Sequence, residues 1–180
     1  YRLVKRLAQV GAAAVTIEDS TGLRGFNRWI DFTEQNLLDG MVEHPIISKQ
    51  LWLAKIKAAL KACEGTDCIV IARTEAKFTQ GLDVAIDRAI AAKELGAHMA
   101  LIMGLLRLEE AKTVSSHVSG WKMWPDVQSK NGVPDVKLDD IASLGFNLVT
   151  THIFENSALC GALEAGLRTI RDRNTIFADN

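Results

Sequence analysis

The stretch Cys68-Ile69-Val70-Ile71-Ala72-Arg73-Thr74-Glu75-Ala76 decides how the chain is read. Ile69, Val70 and Ile71 are β-branched, and Ala72 continues the apolar run into Arg73 and Glu75. A short, unbroken apolar run bounded by turn residues reads as a strand covered on both faces, the signature of a parallel sheet. Arg73 and Glu75 cannot stay in such a core unpaired. Either they are solvated charges where the strand surfaces, or the strand delivers them to a defined place at the mouth of the sheet.

Working outward, the same architecture recurs. Val10-Gly11-Ala12, Leu95-Gly96-Ala97 and Leu144-Gly145-Phe146 each join a helical pattern to an apolar run through a glycine. Upstream, residues 2–10 carry Leu3, Leu7 and Val10 at helical spacing, and residues 12–17 form a strand ending at Glu18 and Asp19. Ser48 is placed to cap a helix over 49–63, with Leu53, Ile56 and Leu60 on one face. Downstream come a helix over 82–95 (Val84, Ile86, Ala89 and Ile90 toward the core), a strand over 99–103, and a helix over 107–118. They are followed by a weak strand at 121–124, a helix over 136–144, a strand over 146–151 ending at His152, and a helix over about 156–172. Repeated helix–Gly–strand units imply right-handed crossovers and a parallel sheet. No G-x-G-x-x-G or G-x-x-x-x-G-K-[ST] follows a strand, so the nucleotide-binding folds lose their main support.

Five strands are read, where a complete (β/α)8 barrel has eight in about 250 residues. The fold class expected is α/β, of the (β/α)8 TIM-barrel type, with about the last five strand–helix units in one domain over residues 1–180. A five-stranded doubly wound sheet is the alternative. Tyr1 to Lys5 begin inside a helical pattern with no initiator Met and no signal-peptide pattern, so the start is expected to be a cut through a larger protein.

Composition narrows the function classes. The 180 residues carry a formal net charge of −1, which argues against nucleic acid or an anionic membrane surface as partner. No apolar run approaches the roughly 20 residues of a membrane span. Cys63, Cys68 and Cys160 form no even framework and no C-x-x-C, and read as reduced thiols of a cytoplasmic protein.

In either fold, ligands bind beyond the carboxyl ends of the strands. Those ends carry Glu18 and Asp19, Arg73 and Glu75, Gly104, Asp126 and His152. Carboxylates suit a hard cation such as Mg2+, and an Arg suits bidentate capture of a carboxylate or phosphonate. Together they suit a metal-polarised small oxyacid. A salt bridge of Arg73 with Glu18 or Glu75 explains the same residues without a substrate. Residues 20–47, with Arg24, Asn27, Arg28, Asp31 and Glu34, are too long for a routine connection and are expected to act as a gating loop. Cys68 reads as core, and Trp121 and Trp124 as cover for the sheet.

The motifs GAAAVTIED (11–19), LAKIKAAL (53–60), IVIARTEA (69–76) and DRAIAAKELGA (87–97) resemble the isocitrate lyase and phosphoenolpyruvate mutase superfamily. The resemblance implies a (β/α)8 barrel, a homo-oligomer that is usually a tetramer with an exchanged C-terminal helix, Mg2+ as cofactor, and a small 2-oxo acid or its enolate as substrate. It implies that Glu18 contacts the metal through water, with Asp19 beside it, and that Arg73 binds substrate. Glu75, Asn27 and His152 are expected to join the substrate site, and Arg24 to substitute for a catalytic loop Lys.

The chain also departs from the pattern. Residues 20–47 hold no Cys, where lyases of the group have a catalytic one. Glu75 stands where lyases usually have Asp, and Met103-Gly104 fall where both branches carry polar groups. The main metal-binding aspartates of the group belong to strands before residue 1. Two functions follow: a Mg2+-dependent enzyme that breaks or moves a carbon–carbon or carbon–phosphorus bond of a small 2-oxo acid, or a catalytically silent relative that serves as a binding or partner subunit.

Overall fold

The computed structural model describes residues 1–21, 46–126, 129–130, 133–134, 136–150 and 154–174. In chain order the elements are α1 (Arg2–Gln9), β1 (Ala14–Glu18), α2 (Lys49–Cys63), β2 (Ile69–Thr74), α3 (Ala76–Gln80), α4 (Leu82–Glu94) and β3 (Met99–Ile102). They continue with α5 (Leu108–His117), β4 (Lys122–Asp126), a small hairpin β5 (Ser129–Lys130) and β6 (Val133–Pro134), α6 (Leu138–Ser143), β7 (Phe146–Thr150) and α7 (Phe154–Arg173). The body of the expected loop at 20–47, with Arg24 and Asn27, lies outside the described residues, and so does His152. The chain divides into two compact units, Tyr1–Val149 and Thr150–Asn180.

The five-stranded sheet has the order β1-β2-β3-β4-β7. The pairings of β1 with β2, β2 with β3 and β3 with β4 are all parallel. Each crossover therefore steps one place in the same direction. A doubly wound sheet reverses direction at a switch point, so the single direction of winding is that of a barrel, here an arc of five strands.

The three glycines between helix and strand are where the chain turns. Gly11, Gly96 and Gly145 all have φ between 79° and 108°, a region that a Cβ disfavours. After α1 the Ala12 amide reaches back to the Leu7 carbonyl at 3.0 Å, and after α4 the Ala97 amide reaches Ala92 at 3.0 Å. This is the Schellman closure, which satisfies carbonyls left open at a helix end. Ser48 caps α2 as expected, its Oγ accepting from the Leu51 amide at 3.2 Å.

Alternation along each strand divides the core in two. Val70 and Ala72 of β2 face outward and pack with Trp52, Ile56, Ala59 and Ala92 of the helices. Ile69 and Ile71 face inward with Met99, Leu101, Met103 and Met123. A second outer cluster joins Ile86, Ala89, Ile102, Val114, Ile141 and Phe146 around Trp124, whose ring meets Phe146 edge-on at 5.3 Å. Trp124 thus covers the sheet, while Trp121 is exposed. Cys68 is core, as expected. Beside Cys68, burial and the neighbouring Cys68 thiol push the Cys63 thiol up to about 11, so it stays protonated.

The buried face of α2 is shifted from the expected one. Trp52 and Ile56 are fully buried, and Leu53 and Leu60 lie at the margin. The reason is polar as well as apolar. Trp52 Nε1 donates to the Ile17 carbonyl at 3.1 Å, near the outlet of β1, and a buried indole needs such a partner. Replacing Trp52 with Ala should destabilise the fold by about 3–5 kcal/mol. Trp52→Phe should forfeit a smaller amount, nearer 1 kcal/mol, for the lost hydrogen bond. Urea titrations of the two variants would check the order.

Candidate active site

The register of β1 on β2 sets Glu18 directly across from Arg73. On the other side, Arg73 stands across from Leu101 of β3. Because Arg73 follows Ile69 and Ile71 at a period of two, its side chain leaves the sheet on the inner face, at the carboxyl end. Its Nε donates to Glu75 Oε1 at 3.0 Å, its NH2 also pairs with Glu75, and Nε lies 3.4 Å from Glu18 Oε2. Glu75 is fully buried, while Arg73 and Glu18 keep 22% and 29% of their side chains exposed. The arrangement is one guanidinium between two carboxylates, open to the mouth on the Arg73 and Glu18 side. Ser20 Oγ donates to Glu18 Oε1 at 2.5 Å, and Lys55 Nζ donates to the Glu18 carbonyl at 2.8 Å.

Asp19 turns the other way. It is fully buried on the outer face, between the sheet and α4. Its Oδ2 accepts from Thr74 Oγ1 at 2.6 Å and from Arg88 NH1 at 3.1 Å, and its Oδ1 accepts from the Glu75 amide at 2.8 Å. Arg88 extends its second nitrogen to the Ile47 carbonyl at 2.9 Å. The Ile47 amide in turn donates to the Asp19 carbonyl at 2.8 Å, and Ser20 and Ile46 form an antiparallel bridge. Both ends of the 20–47 excursion therefore meet beside Asp19.

The wall contributed by β3 is apolar. Met103 is half-buried, and Gly104 has φ +80°. A Cβ on Gly104 would run into the Phe78 ring. Behind this wall, Lys77 Nζ donates to the Gly104 carbonyl and pairs with Glu110 at 2.8 Å. Burial would raise the Glu110 carboxyl, but hydrogen bonds from the Leu106 and Arg107 amides and the Lys77 ammonium outweigh it. The group is held below its ordinary value.

Of the residues read from the sequence, Glu18, Arg73 and Glu75 converge. Asp19 is adjacent in sequence but on the opposite face. Arg24, Asn27 and His152 fall outside the described residues. Among the described residues no group of three His, Cys, Asp or Glu side chains is arranged to hold a metal ion. Glu18, with the Ser20 hydroxyl beside it, offers the hard oxygen donors that Mg2+ prefers. One carboxylate fits a water-mediated contact and not a whole coordination shell. Sequence reasoning missed Ser20, Thr74, Lys55 and Arg88. Arg88 had a readable signal, a cation in line with Ala85, Ala89 and Ala92 on the buried face of α4.

Known proteins share this fold. The family model for phosphoenolpyruvate phosphomutase matches residues 1–171. The chain belongs to that family. It is 29% identical over 147 residues to a 2,3-dimethylmalate lyase of Eubacterium barkeri, covering 82% of this chain and 46% of the relative. It is 30% identical over 115 residues to a 2-methylisocitrate lyase of Vibrio cholerae, covering 64% and 33%. The solved structure of an oxaloacetate acetylhydrolase with 3,3-difluorooxaloacetate superposes with a TM-score of 0.75 at 21% identity, over 99% of this chain and 57% of that one. The chain thus spans half or less of the length of these two curated relatives, and the barrel fold expected from the sequence holds.

The lowered Glu110 gives a pH prediction. A carboxylate whose folded value is depressed adds stability above its unfolded value, and that stability is lost as pH falls through the folded value. Glu110→Gln should therefore lower the urea midpoint at about pH 7 and shrink the gap to the parent protein at about pH 3. Midpoints measured at both pH values would check the sign.

Proposed function

We propose that the chain is part of a Mg2+-dependent enzyme that breaks or moves a carbon–carbon or carbon–phosphorus bond of a small 2-oxo acid through an enolate. The observation that carries this reading is the Glu18–Arg73–Glu75 constellation at the carboxyl ends of neighbouring parallel strands. Arg73 binds the substrate carboxylate or phosphonate, its guanidinium held in one orientation by buried Glu75. Such a fork matches two oxygens at once. Glu18, oriented by Ser20, holds a water toward the metal. The bound Mg2+ would supply Lewis-acid stabilisation of the negative charge that builds on the enolate oxygen. Arg24, Asn27 and His152 complete the substrate site, and residues 20–47 close it against water.

The names of the relatives support oxaloacetate, itself a 2-oxo acid, or a hydroxy acid such as 2-methylisocitrate or 2,3-dimethylmalate, whose carbon–carbon cleavage releases a 2-oxo acid, and the family supports a phosphonopyruvate-like substrate. The protein acts as a homo-oligomer, most simply a homotetramer. The stripe Leu159, Leu163, Leu167 and Ile170 along α7, exposed in the single chain, supports this. No helix among the described residues is long and apolar enough to cross a membrane, and the three free cysteines suit a cytoplasmic setting.

One observation favours a second reading. Met103, Gly104 and Phe78 present no polar group at the β3 wall, as in a relative that binds without turnover and serves as a partner subunit. The full-length natural protein, assayed with oxaloacetate, phosphonopyruvate, 2-methylisocitrate and 2,3-dimethylmalate with and without Mg2+, separates the two. Turnover of one of these with Mg2+ is expected. Arg73→Ala should then raise KM by roughly one to three decades, the cost of removing one member of a desolvated charge pair. Turnover that survives this change intact would reject Arg73 as the substrate anchor.

A further inference from the structure

We infer that Asp19 and Arg88 are positioning residues, a buried clasp that holds the Glu18–Arg73–Glu75 mouth in register and fastens both ends of the 20–47 excursion to it. This gives Asp19 a role other than metal binding, and it rests on the proposed function only in taking that mouth as the substrate site.

The last β1–β2 rung is Glu18 opposite Arg73, and the ladder between the two strands ends there. Asp19 takes over at that point. One oxygen receives the Glu75 amide and the other receives the Thr74 hydroxyl. The end of β1 is thereby tied to the two residues that follow Arg73. Glu75 is the residue whose carboxylate holds the Arg73 guanidinium. A shift of the Asp19 carboxylate is passed through the Glu75 backbone to Arg73.

Arg88 makes this possible and extends it. It is the charged partner of Asp19, with side-chain exposures of 6% and 0% for the two. One nitrogen binds Asp19 and the other the Ile47 carbonyl. The Ile47 amide binds the Asp19 carbonyl, and Ile46 bridges to Ser20. Ser20 is the residue whose hydroxyl orients Glu18. The clasp thus reaches Arg73 through Glu75 and reaches Glu18 through Ser20. The planar fork reaches the two acceptors with two different nitrogens, so a lysine at position 88, with one nitrogen on a differently shaped stem, is expected to keep the carboxylate and lose the carbonyl.

The test uses the full-length protein and four variants: Arg88→Lys, Arg88→Leu, Asp19→Asn, and the pair Asp19→Asn with Arg88→Leu. Hydrogen exchange is followed at the Glu75 and Ile47 amides, with Ala100 in β3 as reference, alongside KM and kcat for whichever of the four assayed acids is turned over. Arg88→Leu and Asp19→Asn should speed exchange at both amides by roughly tenfold or more while Ala100 is unchanged. They should raise KM by roughly ten- to a hundredfold, with a smaller change in kcat. Arg88→Lys should restore protection of Glu75 and leave Ile47 fast. The double variant should regain thermal stability relative to either single one, because no lone buried charge remains, and yet keep the raised KM. If Arg88→Leu does not fold, Arg88→Lys and the double variant carry the test. Unchanged exchange at Glu75 and Ile47, or a KM that recovers together with stability, would overturn the inference. Absence of turnover in the parent protein counts against the functional reading alone, and the exchange pattern still decides the clasp.

Discussion

A carboxylate buried between a parallel sheet and its helices has to be neutralised and fully hydrogen-bonded. Removing the partner of such a charge costs roughly 3–5 kcal/mol. Asp19 meets that requirement with Thr74, the Glu75 amide and Arg88. These groups belong to β2, to the turn after it and to α4, separated from Asp19 by 55 to 69 positions along the chain. They can satisfy Asp19 only when β1, β2 and α4 are already in their native places. The pair therefore acts as a check on the register of β1 against β2, and that register sets Glu18 opposite Arg73.

The strand period explains why neighbouring acids do different work. Successive side chains of a strand point to opposite faces. Glu18 shares the inner face with Arg73, and Asp19 shares the outer face with Thr74 and α4. A sequence motif of two acids at a strand end looks like one cluster of negative charge. In the fold it is one carboxylate for the mouth and one for the scaffold. A slip of one residue in β1 would turn Glu18 away from Arg73 and turn Val15 and Ile17 away from the helices they pack against. Such a slip is opposed by both the apolar and the charged patterns, and this is how so short a strand holds a single register.

The sequence made the winding legible for a local reason. Each helix–Gly–strand junction is contained in a few residues, and glycine there meets a backbone requirement that Gly11, Gly96 and Gly145 all display. The strand ends were legible for the same reason, since an apolar run that meets a charge marks its own outlet. What was hidden depends on distant partners. Helical spacing in α2 does not reveal that Trp52 will find the Ile17 carbonyl. Nor does spacing in α4 show whether Arg88 points to solvent or to Asp19. The apolar periodicity of residues 82–95 turned Ile86 and Ala89 toward the core, and only the buried Asp19 that faces α4 explains why a cation belongs between them at position 88.

The β3 side of the mouth follows a different logic. Gly104 sits at a left-handed backbone position, and Phe78 fills the space that a side chain there would need. Lys77 and Glu110 lock the two neighbouring loops together behind that ring. Met103 and the Phe78 ring give this wall its apolar side chains, while the charged pair next to it is engaged with itself and with the Gly104 carbonyl. On the β1 and β2 side, Glu18 is the partly exposed carboxylate. An enolate-forming reaction suits such a division. One side supplies fixed charge to orient an oxyacid, and the other supplies a dry surface that keeps water from competing for that charge.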